Sequence, residues 1–105
     1  MEKEIEASSK PVIVDFTKKS CAACKELDLI TFSDAKVKDI MRNFTFIKVD
    51  LSDNTQDDKN ILNKYELFGT PNIIFFDAHN RYLSSKTITG FIALEPFIRH
   101  LQTIK

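Results

Sequence analysis

Cys21 and Cys24 are the only cysteines in the chain, and they stand as Cys-Ala-Ala-Cys. That spacing suits a dithiol that cycles with a disulfide. In Lys25-Glu-Leu-Asp-Leu-Ile30, which follows, Leu27 and Ile30 continue from Ala23 at helical spacing. The pair is therefore predicted to open a helix. A helix N-terminus carries roughly half a positive charge and unpaired N–H groups, and both favour a thiolate. Cys21, at that end, is expected to be the nucleophile that opens a partner's disulfide. Cys24, one turn deeper, is expected to resolve the mixed disulfide and close the Cys21–Cys24 bond. A purely structural disulfide would gain little, since so short a loop is worth only about 2 kcal/mol in the chain-entropy account. Half of a metal site is the other reading. Zinc takes four ligands, and the remaining soft candidates, His79 and His100, lack zinc-finger spacing.

Two acids lie near the pair in sequence. Asp15 interrupts the apolar run Val12-Ile-Val-Asp-Phe16. A carboxylate in such a place must be protonated, paired or put to use. Asp28 stands four residues after Cys24, so a helix would put both on one face. Were both acids to lie beside the dithiol, they would raise each other's pKa and those of the thiols, making a coupled system.

These residues need elements to hold them. Residues 2–9 are predicted as a short helix that ends before Lys10-Pro11, because the residue before proline avoids helical backbone. The strand 12–16, with three consecutive β-branched residues, reads as a central strand buried on both faces. The dithiol helix pauses near Thr31-Phe-Ser33, with Ser33 as the cap of a second segment whose apolar face is Val37, Ile40 and Met41. Residues 44–50 form a strand, Asn54–Gln56 a turn, and 56–65 a helix opened by a loose capping box from Thr55 to Asp58. Strand 72–77 is apolar on both faces, Ala78–Asn80 is a turn, and 82–89 is a last strand ended by Gly90. A closing helix spans 93–104, with Pro96 in its first turn and Phe97, Ile98, Leu101 and Ile104 as its buried stripe. The order implies an α/β fold: a three-layer sandwich with a central mixed β-sheet and helices on both faces. In such sheets, sites lie beyond the carboxyl ends of parallel strands, which is where Cys21 falls.

The totals agree with a single domain over residues 1–105. Acids and bases number 15 each, which gives no case for nucleic acid or an anionic membrane. No apolar run approaches the roughly 20 residues that span a bilayer. The acidic start, Met1-Glu-Lys-Glu-Ile-Glu6, lacks a signal-peptide core. Either a cytoplasmic protein or a soluble piece of a longer chain is expected, as a monomer without direct membrane insertion.

Over about residues 10–104 the sequence resembles the thioredoxin superfamily. Asp15 lies six residues before Cys21, Cys21-Ala-Ala-Cys24 opens a helix, and Gly69-Thr-Pro71 precedes an apolar strand. The runs 21–34, ending Thr-Phe-Ser-Asp34, 72–77 (Asn-Ile-Ile-Phe-Phe-Asp77) and Thr89-Gly-Phe91 resemble the C-terminal periplasmic domain of the DsbD family of membrane thiol:disulfide interchange reductases. One departure is Ser20, which stands where that family has tryptophan. The resemblance implies a thioredoxin-like sandwich. It places Asp15 beneath the dithiol as the group that takes and returns the proton of Cys24, and an acid at position 28 beside it. It makes Pro71 a cis-proline facing the dithiol, with Thr70 offering backbone hydrogen bonds to a partner segment. The implied activity is protein-disulfide reduction or electron relay, with no cofactor beyond the Cys21–Cys24 pair. Its partners would be protein thiols and disulfides, including the membrane and N-terminal domains of a DsbD-like reductase, and its location periplasmic. A general soluble thioredoxin is the near alternative. A thiol-based metal chaperone or a non-catalytic binding module is the reading from another class.

Overall fold

Pro11 fixes the entry to β1 (Val12–Thr17), and the β-branched run behind it packs on both sides, leaving residues 12–16 all buried. In this computed structural model, which describes residues 1–104, β1 is an interior strand of a four-stranded sheet ordered β2-β1-β3-β4. It pairs in parallel with β2 (Thr45–Asp50) and antiparallel with β3 (Asn72–Phe76). The short β4 (Ile88–Thr89) runs antiparallel to β3.

The two-residue period of β1 sorts its side chains into two cores. Val12, Val14 and Phe16 join Ile74, Phe76, Leu51 and Tyr65 under α1 (Glu2–Ala7) and α4 (Gln56–Lys64). Ile13 joins Ile73, Phe75, Leu27, Val37 and Phe97 on the other face. There the covering layer is α2 (Ala22–Glu26), a π-helical turn (Leu27–Thr31), α3 (Ala35–Met41) and α5 (Leu94–Gln102). Asp15 belongs to the same face of β1 as Ile13, so it points toward the layer that carries the dithiol. The expected sandwich is present.

Several expectations are met closely. Thr55 and Asp58 form a full capping box at α4. Asn80 takes φ +66° in the turn after β3, where Asp77 accepts from the amides of His79 and Arg81. Phe97, Ile98, Leu101 and Ile104 are all buried, with Ile104 just past the end of α5.

Three expectations are corrected. The strand over 82–89 shrinks to Ile88–Thr89 and a single bridge from Tyr82 to Phe76. Ser84-Ser85-Lys86 instead make a 3₁₀ turn, for which short polar side chains are better suited than for a strand. The cap of α3 is Asp34 rather than Ser33. Its carboxylate accepts from the amides of Lys36 (2.8 Å) and Val37 (3.2 Å), while the Ser33 hydroxyl donates back to the Leu29 carbonyl. Finally, Ile30 does not continue the buried stripe of the dithiol helix: it is exposed, and Thr31 is buried in its stead. The π turn is the reason, because an extra residue per turn moves the inward position on by one.

Candidate active site

Cys21 caps α2 with extended backbone, and its sulfur accepts from the Cys24 amide at 3.1 Å. The two cysteines are joined as a disulfide with Cα atoms 5.2 Å apart. Their environments differ. Cys21 is half-buried, whereas Cys24 is 2% exposed and packs inside. One cysteine is open to solvent and the other is enclosed by the protein.

Asp15 supplies the charge beneath this layer. It is 1% exposed, and its Oδ1 has no hydrogen-bond partner. Burial pushes its carboxyl up to about 6; the neighbouring Asp28 adds to the rise and Lys48 opposes it. Lys48 stands beside Asp15 in the parallel register of β1 and β2. Its Nζ, however, is held by Asp28 Oδ2 at 2.7 Å. Asp28, Lys48 and Cys24 line one cavity of about 180 Å³, with Thr17, Lys18 and Asp50 among its other walls. Asp15, Asp28 and Lys48 thus form one electrostatic unit, and Cys24 shares a cavity with Asp28 and Lys48.

The loop that precedes β3 completes the site. Thr70–Pro71 is a cis peptide bond, and Gly69 takes φ +74°, a conformation that favours glycine. In the sheet Asn72 sits opposite Phe16, so the loop lies at the end of β1 from which the dithiol emerges. The Asn72 amide donates to the carbonyls of Phe68 (3.2 Å) and Gly69 (2.8 Å), and its Oδ1 accepts from Thr89. Gly90 N–H donates to the Pro71 carbonyl at 2.9 Å. Among the described residues, neither the N–H nor the C=O of Thr70 has a hydrogen-bond partner.

The six residues singled out by sequence reading fall as follows: Cys24 and Asp28 line one cavity, Cys21 caps the same helix, Asp15 lies in β1 on the face toward that helix, and Thr70 and Pro71 stand in the loop at the end of β1 from which the dithiol emerges. Lys48, Asn72 and Thr31 were missed. The Thr31 hydroxyl donates to the Ile92 carbonyl at 2.7 Å and ties the dithiol helix to the segment after Gly90. A polar residue at the head of an apolar run was the available signal for Asn72. His100 Nε2 lies 2.7 Å from the Lys86 carbonyl. Among the described residues no three His, Cys, Asp or Glu side chains cluster as a metal site.

The profile of the thioredoxin-like domain family matches residues 1–105. The chain belongs to that family. Within it, this thioredoxin-like chain is 35% identical over 102 residues to the thiol:disulfide interchange protein DsbD of Campylobacter jejuni (strain RM1221). It is also 35% identical over 97 residues to DsbD of Yersinia pestis (strain Pestoides F). These alignments cover 97% and 92% of the chain but 18% and 16% of the relatives, so the chain spans less than a fifth of their length. Among solved structures, the oxidised C-terminal domain of DsbD from Neisseria meningitidis superposes with TM-score 0.81 at 26% identity, covering 99% of this chain and 88% of that one. A thioredoxin from Thermus thermophilus shares the fold with TM-score 0.79 at 19% identity, covering 96% and 78%. No helix among the described residues is long and apolar enough to cross a membrane.

Proposed function

We propose that this thioredoxin-like chain is a protein-disulfide reductase that relays two electrons through Cys21 and Cys24. The observation that carries the reading is the asymmetry of the pair: a half-buried Cys21 backed by a buried Cys24, on the layer that faces the unpartnered acid Asp15.

The chemistry follows from that geometry. In the reduced form the Cys21 thiolate attacks one sulfur of a partner disulfide. The partner's S–S bond breaks, its other sulfur leaves as a thiolate, and Cys21 is joined to the partner. Cys24 then loses its proton to the Asp15 carboxylate and attacks the Cys21 sulfur. The second partner thiolate leaves, the partner is reduced by two electrons, and the Cys21–Cys24 disulfide closes. Recharging runs the same steps backwards, with Asp15 returning the proton. An acid poised near 6 serves both directions, being mostly ionised at neutral pH yet basic enough to hold a proton. Asp28 raises that poise and Lys48 limits it. The open amide and carbonyl of Thr70 give a partner's extended main chain a place to pair. The two electrons are carried by the Cys21 and Cys24 sulfurs, and the reading calls on no added cofactor.

The DsbD relatives, of which the chain covers less than a fifth, support reading it as one part of a larger thiol:disulfide interchange protein. In this reading it works in the periplasm, taking electrons from a membrane domain and giving them to an N-terminal domain. The deciding measurement is the reduction potential of the pair, by equilibration against defined dithiothreitol or glutathione ratios. A value between about −230 and −270 mV fits an electron donor, whereas one near −120 mV marks an oxidant and ends this reading.

A further inference from the structure

The end of the sheet from which the dithiol emerges carries two exposed phenylalanines that its chemistry does not use. Phe68 is 88% exposed and Phe91 39% exposed. Both adjoin the Thr70–Pro71 loop. Phe68 precedes it by two residues, and its carbonyl is tied down by the Asn72 amide. Phe91 follows Gly90, whose N–H is bonded to the Pro71 carbonyl. The backbone at both places is thus anchored to the site. Phe68 also stands at the edge of a hollow of about 260 Å³ that runs along Leu67, Asn72, Thr89 and Tyr82. Ser20, which directly precedes Cys21, brings only a hydroxymethyl group. Of the exposed large apolar side chains, Leu29 and Ile30 belong to the π turn and Phe46 to β2, whereas Phe68 and Phe91 are the two whose backbone is tied to this loop.

What they contact is narrowed by Thr70. Its N–H and C=O are both open, and a polypeptide main chain offers the carbonyl and amide that match them. A lipid tail offers no such pair; glutathione offers one across its own cysteine but has no apolar side chains beside it to cover the two rings. Resting on the reductase reading, we propose that Phe68 and Phe91 are specificity-determining residues. They select an extended polypeptide acceptor with large apolar side chains flanking its half-cystine, over small or polar disulfides. The partner's main chain pairs with Thr70 while its flanking side chains cover the two rings.

Stopped-flow oxidation of the reduced protein tests this with three probes: oxidised glutathione, the symmetrical disulfide of Ac-Ala-Phe-Cys-Leu-Ala-amide, and that of Ac-Ala-Ser-Cys-Ser-Ala-amide. Covering an aromatic ring is worth roughly ten-fold or more in binding, so the wild type should react about ten-fold faster with the apolar peptide than with the serine one. In the double variant Phe68→Ser, Phe91→Ser the preference should fall below about two-fold, with the glutathione rate unchanged as evidence of an intact dithiol. Equal rates for the two peptides in the wild type overturn the assignment and leave the reductase reading standing. So does a preference that survives in the double variant. Loss of reaction with all three probes removes both. Sedimentation showing a dimer abolished by Phe68→Ser would mean that a second copy covers the rings, and would likewise overturn the proposal.

Discussion

Replacing Asp15 by asparagine should make the protein more stable at neutral pH and leave that gain absent in acid. The Asp15 carboxyl rises from its ordinary 3.8 to about 6 on folding, first because it is buried and second because Asp28 is near, against the pull of Lys48. Between those two values the unfolded chain has released its proton and the folded chain still holds it. The unfolded state then binds fewer protons, so stability falls as pH rises. Stability from this group is full below 3.8 and is lost as pH climbs through 6. The gap corresponds to about 3 kcal/mol. Asparagine keeps the shape without the charge. The assay is urea unfolding of the oxidised wild type and Asp15→Asn from pH 3.5 to 8, with the disulfide intact in both. Variant minus wild type should climb by about 3 kcal/mol across that range, mostly between pH 4 and 6.5. Following the change with pH cancels any fixed cost of packing an amide. A difference that stays flat, or falls, would refute the claim that Asp15 ionises inside the fold at a cost.

Other outcomes follow from the same geometry. Lys48→Met should move the Asp15 midpoint above 6 and Asp28→Asn should move it down, both read from the carboxyl carbon resonance of Asp15; shifts in one direction would break the electrostatic account. Cys24→Ser should leave attack intact and stop the reaction at a partner adduct on Cys21, seen by mass spectrometry, while Cys21→Ser should give none. Asp34→Ala should cost about 1 kcal/mol in unfolding experiments as the cap of α3, with Ser33→Ala costing clearly less.

What could be read from the sequence was local. The run Val12–Phe16, the dithiol helix and the Thr55–Asp58 box are specified by residues within a few positions of one another, so pattern and capping chemistry find them. Asp15 was legible as an anomaly, a charge inside an apolar strand. Lys48 was not, because only the parallel register of β1 and β2 brings it beside Asp15. The π turn escaped for a different reason: Ala23, Leu27 and Ile30 fit an ordinary helix, and it is the bond from Thr31 to Ile92, 61 residues away, that accompanies the altered winding. The strand expected over 82–89 failed where Ser84–Lys86 gave the backbone a turn as an alternative.

The unequal burial of the two sulfurs reaches beyond electron transfer. A bulky alkylating reagent meeting the reduced protein should find one thiol, not two. Peroxide should likewise strike Cys21 first, and the sulfenic acid formed there would be met at once by Cys24 and turned back into the disulfide. The sheltered sulfur thereby guards its exposed neighbour against irreversible oxidation, converting chemical damage into the ordinary oxidised state of the protein.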